Sequence, residues 1–292
     1  MKVARMLALI LLVGGASVAQ RRALTPEQRA TARARAEAIA NAPDPIAPLD
    51  TVWIEEMTYM EVRDAIKAGK TTAMVVAGGI EQNGPYLAVG KHDYVAKVTA
   101  EPIARRLGNA LIAPILVLAP GDPDHIPTPG SIFLSEETFK AMLTDIAKSL
   151  KSQGFRNILF MADHGEDQKP MSEVAKTLSA EWGEGGPGIY YVAEYYNNDA
   201  LRKFIAEQGI KEKSWNADGI HDEYQIDAIC MVADPDTVRV KQRIAANKTM
   251  INGASIVPEE KTIEIGKKLI EYRTEFTVAA IRKILAQPRA GQ

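Results

Sequence analysis

The sequence predicts an α/β protein with a mostly parallel sheet flanked by helices. Short apolar runs alternate with longer helical stretches from Thr51 onward, and no hairpin turn signals are read between the runs. That pattern favours crossover connections, with helices covering both faces of one sheet. A third observation agrees: two polar clusters leave the carboxyl ends of buried apolar runs, where open α/β sheets place their ligands.

The elements follow in order. Ala73–Ala77 reads as a buried strand running into Gly78-Gly79, Tyr94–Leu107 as a helix and Leu111–Leu118 as a strand. Ser135 caps a helix that runs to about Gln153, Asn157–Met161 is a strand, and Pro170–Trp182 is a helix. Ile189–Ala193 is a strand, and a helix follows from Asp199. Ile226–Val232 is read as a strand, Pro235–Lys248 as a helix, and Glu259–Leu285 as the last long helix. No internal repeat or low-complexity tract stands out.

The start of the chain reads differently. Lys2 and Arg5 precede an apolar stretch, Met6–Val13, and Ser17-Val18-Ala19 supplies small residues for cleavage. Residues 1–19 therefore read as a secretory signal peptide, which predicts a periplasmic or secreted protein that leaves the membrane once the signal is cut. The alternative is an uncleaved anchor, although the run is too short for a normal span. Residues 20–48 read as an N-terminal helical arm and linker. Thr25, Pro26 and Gln28 make a capping box, and Asn41-Ala-Pro-Asp-Pro ends the helix. This arm is either solvated decoration or a packing element for a neighbouring subunit. Residues 49–292 form the main domain.

Composition narrows the chemistry. A net charge of −2 with mixed signs argues against nucleic acid or an anionic membrane surface and leaves a small molecule as the expected partner. The 46% hydrophobic content suffices for a sizeable core. The single cysteine, Cys230, excludes an intrachain disulfide and a cysteine-based zinc site, and reads as core. With four histidines, His92, His125, His164 and His221, a metal site leans on carboxylates.

Three clusters carry possible chemistry. Gly78 to Tyr86 with Lys91-His92-Asp93 offers Glu81 and Asp93 as oxygen ligands. Asp163-His164-Gly165-Glu166-Asp167 lets His164 and Glu166 face one cavity. The third is Asp218 to Glu223, which contains His221. Histidine and carboxylate ligands of this kind suit Zn²⁺ or Mn²⁺. Each cluster has a structural reading beside this one. Glu81 or Asp93 can cap a helix, His164 and His221 can be loop residues, Glu166 and Asp167 can be solvated, and His125 suits a rim position.

These residues resemble the creatininase family. Gly-Gly-Ile-Glu81-Gln-Asn83-Gly-Pro-Tyr86-Leu is similar to the family pattern Gly-Ser-x-Glu-Gln-His-Gly-Pro-His-Leu-Pro, and His92-Asp93 stands for its following Thr-Asp. Asp163-His164-Gly-Glu166 resembles Asn-Gly-His-x-Glu, and Pro129-Gly-Ser-Ile with Glu137-Thr-Phe resembles Pro-Gly-Thr-Ile and Glu-Thr-Phe. The resemblance implies a three-layer α/β amidohydrolase that opens amide bonds, binds two metals (zinc or manganese) and often assembles as a homo-hexamer. It implies Glu81, Asp93, His164 and Glu166 as metal ligands, with Asp93 bridging and His221 as the catalytic histidine. Asn83 and Tyr86 stand where the family has histidines, so one or two metals per subunit are expected. Asn83, His92, Tyr86, Asp163 and Glu223 are further candidates for contact with metal or substrate. Three functions follow as expectations: hydrolysis of a C–N bond in a small amide or lactam, single-metal hydrolysis or lysis of a carbohydrate-derived molecule, or ligand binding without turnover.

Overall fold

The computed structural model describes residues 25–122, 124, 129–213 and 221–287. The signal segment, His125 and Asp218–Ile220 lie outside them. The chain divides into two compact units, residues 1–45 and 46–292. In the first, α1 (Pro26–Asn41) begins at the capping box of Thr25 and Gln28.

The second unit contains α2 (Tyr59–Lys67), β1 (Thr72–Ala77), α3 (Lys91–Leu107), β2 (Ala110–Ile112), α4 (Glu136–Ser152), β3 (Asn157–Ala162) and α5 (Gln168–Trp182). It continues with β4 (Gly188–Tyr191), α6 (Asn198–Glu207), α7 (Tyr224–Ala233), α8 (Val240–Ala245), β5 (Met250–Ile251), β6 (Ala254–Ser255) and α9 (Glu259–Ala286). β2, β1, β3 and β4 form one parallel sheet in that order. This is the fold class that the sequence predicts.

Both faces of the sheet are covered. Along β1, Ala73, Val75 and Ala77 pack with Phe139 and Leu143 of α4 and Leu178 of α5. Met74 and Val76 point the other way, toward Ala100 and Ile103 of α3 and Val278 and Ile281 of α9. A strand alternates its side chains between faces, so burial on both sides yields a continuous apolar run in place of an alternating one. The chain leaves β1 to one side for β2 and returns on the other side as β3. The carboxyl ends of β1 and β3 therefore flank the switch point where crevices open in such sheets.

Four local expectations are corrected. Ile226–Val232 is not a strand; it lies inside α7. Eight residues of α7 are buried, so it is apolar nearly all round and shows no helical period in sequence. The strand expected to reach Leu118 stops at Ile112, just before Pro114, which has no N–H for the ladder. Pro235–Lys248 splits into a 3₁₀ turn (Pro235–Val238) and α8, because Arg239 takes a left-handed conformation at φ 54°. The chain also contains an antiparallel hairpin, β5–β6, turning at Asn252 and Gly253 with φ 47° and 92°. Asn-Gly is the standard signal for such a turn.

Gly266 shows how closely the helices approach. A Cβ there would lie 2.1 Å from the Ala228 carbonyl oxygen of α7. Gly266→Ala is expected to destabilise the fold by about 3 kcal/mol, through an overpacked backbone contact, as measured by urea denaturation.

Candidate metal site

Two loops meet beyond the sheet. The loop after β1 carries Glu81, whose N–H donates to the Val89 carbonyl at 2.9 Å. Asn83 fastens the loop from inside: its Nδ2 donates to the carbonyls of Glu81 (2.9 Å) and Ala88 (3.1 Å). β3 delivers Asp163 and His164, and α3 delivers Lys91, His92 and Asp93.

α3 begins at Lys91, three residues before the expected start, and that decides the geometry. Neighbouring residues on a helix point about 100° apart, so His92 and Asp93 cannot face the same place. His92 faces Glu81 and His164; ligand atoms of these three residues lie within 4.8 Å of one another. Asp93 turns aside, and its Oδ1 accepts the Gly79 N–H at 3.0 Å. Gly78 is required there, since a Cβ on it would lie 2.1 Å from Asp93 Oδ1. Burial pushes the Asp93 carboxyl up to about 7, against the opposing pull of the Gly79 N–H and His92.

Glu81 spreads its two oxygens among basic groups. Oε1 lies 2.9 Å from His92 Nε2 and 3.2 Å from Lys91 Nζ, and Oε2 lies 3.2 Å from His164 Nε2. Burial alone would raise its pKa, but His164 and His92 hold it well below the usual carboxylate range. Behind His92, Nδ1 meets Asp163 Oδ2 at 2.9 Å. Asp163 Oδ1 in turn accepts from Arg273 Nη2 at 2.6 Å. When His92 donates Nδ1–H to Asp163, its Nε2 lone pair points at Glu81. That contact then needs a second proton or a cation. Two imidazoles and a carboxylate, one imidazole oriented by a carboxylate behind it, form a donor set that fits Zn²⁺ or Mn²⁺.

His164 is buried with its ring edge-on to His92, the centroids 5.0 Å apart. Burial would lower its pKa, yet Asp167 and Glu81 raise it to about 10. Asp167 is fully buried, which pushes its carboxyl up to about 6. Glu166 behaves oppositely: its side chain is 67% exposed, with Oε2 3.6 Å from His164 Nδ1. His221 is half-buried, Nδ1 3.8 Å from Glu81 Oε1, and burial followed by Lys91 lowers its pKa. Glu223 accepts from Arg202 at 2.7 Å and Gln225 at 2.8 Å, and burial raises its pKa. Tyr86 packs beneath Arg243, whose guanidinium lies 5.2 Å from the ring centre.

The structure thus brings together Glu81, His92 and His164, with His221 and Glu166 at the edge. Asp93, Asn83 and Tyr86 are engaged elsewhere. Sequence reasoning passed over Lys91, Arg273 and the buried state of Asp167. Glu81, Lys91, His92, His164, Glu166, His221 and Glu223 line a cavity of about 580 Å³, together with Tyr196 and Arg202.

A parallel α/β sheet with imidazole and carboxylate donors converging at its switch point defines a class: an α/β protein with a candidate metal centre. The family described as "Creatininase: Creatinine amidohydrolase" matches residues 55–281, and the chain belongs to it. One relative is a creatinine amidohydrolase of Pseudomonas putida, 26% identical over 123 residues, or 40% of this chain and 46% of that protein. Another is a 3-dehydro-scyllo-inosose hydrolase of Thermotoga maritima, 25% identical over 116 residues, or 40% of this chain and 37% of that protein. Each match therefore spans less than half of the relative. A mutant creatininase structure superposes with a TM-score of 0.63 at 19% identity, covering 82% of this chain and all of the other. Similar structures include a zinc–zinc form and a manganese form of creatininase, with TM-scores of 0.62 and 0.61 at 18% identity.

Arg273 is 0% exposed and compensates Asp163 from the last helix. Arg273→Met leaves that carboxylate buried without its counter-ion, and the expected loss is about 3–5 kcal/mol in urea denaturation.

Proposed function

We propose that the chain is a metal-dependent hydrolase that uses water to cleave a C–N bond in a small amide or lactam. The observation that carries this reading is the convergence of Glu81, His92 and His164 within 4.8 Å at the floor of the cavity. These three residues hold the divalent ion, Zn²⁺ or Mn²⁺. When bound, the ion supplies positive charge that polarises a carbonyl and acidifies water.

The protein's own groups do the rest. Asp163 fixes the His92 ring through Nδ1. His221, kept neutral by its lowered pKa, accepts a proton at a ring nitrogen and passes it to the leaving nitrogen. Glu166 stands at the mouth as a second proton carrier. Family membership and the creatinine amidohydrolase among the relatives support the bond type.

A second reading is a carbohydrate-derived substrate. Arg202, Asn197, Asn198, Asp199 and Glu223 give the cavity a wall rich in hydrogen-bonding groups, and one relative is named for an inosose. Export through the segment ending at Ala19 and assembly as a homo-oligomer belong to the same proposal. They rest on the sequence pattern and on the family resemblance.

Metal analysis of protein purified without chelator tests the central claim. Bound Zn²⁺ or Mn²⁺ is expected, and Glu81→Gln and His164→Ala are each expected to weaken its binding by about 100-fold or more, beyond what loss of a supporting residue costs. Unchanged metal content in both variants refutes the site. Asn83→His is expected to leave zinc affinity unchanged, because Asn83 is turned to the Glu81 and Ala88 carbonyls. Ring opening of lactams or release of amine from linear amides, against turnover of cyclic polyols, separates the two substrate readings. No turnover of either leaves a ligand-binding role.

A further inference from the structure

We infer that Lys91 stands in for a second cation, so that the chain holds one divalent ion per subunit where its family resemblance implies two. The inference rests on the metal reading above. Lys91 is 5% exposed, and its ammonium lies 3.2 Å from Glu81 Oε1, the oxygen that His92 also faces. The same Nζ donates to the His221 carbonyl at 3.3 Å, which ties it to the loop carrying that histidine. A positive charge thus lies beside the carboxylate that His92 and His164 share.

Most carboxylate donors for a second ion are engaged elsewhere. Asn83 is fixed through its Nδ2, which donates to two backbone carbonyls inside its loop, while its Oδ1 has no hydrogen-bond partner. Asp93 accepts from the Gly79 backbone. Glu166 projects to solvent, with 67% of its side chain exposed. Asp163 is committed to Arg273 and His92. Among the described residues, Glu81, His92 and His164 are the one group of three His, Cys, Asp or Glu side chains within reach of a single ion. A second divalent ion on Glu81 Oε1 would have to sit beside the buried ammonium and be repelled by it. The ammonium supplies positive charge on that side of the carboxylate without needing ligands of its own.

Isothermal titration of the full chain, stripped of metal by chelator and titrated with Zn²⁺ and separately with Mn²⁺, tests this. One equivalent per subunit is expected. Lys91→Met and Lys91→Gln remove a like charge from the ion's surroundings and are each expected to tighten its binding about tenfold. A lysine with only a packing role gives the opposite result, unchanged or weaker binding. Two equivalents in the parent chain overturn the inference and leave the hydrolase reading standing. Unchanged or weaker binding in both variants, with melting temperatures equal to the parent's, also overturns it. Failure of the parent to bind either ion removes the metal reading and this inference together.

Discussion

The six-residue parallel pairing of β1 with β3 is the constraint on which the rest depends. It sets the ends of the two strands side by side, Ala77 beside Ala162, so the loops that follow must share one crevice. Glu81 and His164 are 83 residues apart in sequence, yet their side chains meet at 3.2 Å. Burial of both faces of these strands makes the register costly to shift, since a one-residue slip would turn every side chain to the wrong layer. The site inherits its precision from that sheet.

Charge placement is the second constraint. Glu81, Asp163 and Asp167 are carboxylates in a region with little water, and each survives by what lies near it. Glu81 is surrounded by two imidazoles and an ammonium. Asp163 is held by Arg273 and His92. Asp167 has only His164, 3.8 Å away, and its elevated pKa reflects that poor compensation. The network is graded: the central carboxylate holds its charge most firmly, and burial raises the pKa of the one behind.

Much of the fold was legible in the sequence, because a doubly covered strand leaves a continuous apolar run and a glycine pair marks where it ends. The locations of Glu81 and His164 followed from that. That His92 faces Glu81 and His164 did not. Asp93 looked like the better ligand by its chemistry and by its place in the family pattern. The choice between His92 and Asp93 depends on whether the helix starts at Lys91 or at Tyr94, a three-residue boundary that no cap residue announces: the N-cap is Gly90, with no side-chain bond. α7 was read as a strand because a helix buried on all sides loses its period. Arg273 could not have been found, since it lies 110 residues from Asp163 and sits within an otherwise ordinary helix. The Asn252-Gly253 turn was there to be read and was passed over.

The position of Arg273 bears on how the site comes into being. A chain emerging from the ribosome presents His92 and Asp163 long before α9 appears. Until that helix docks, the carboxylate that orients His92 lacks its guanidinium counter-ion, and burying it is unfavourable. Orientation of the His92 ring is therefore coupled to docking of α9. A product truncated before α9 lacks the group that settles Asp163 behind His92.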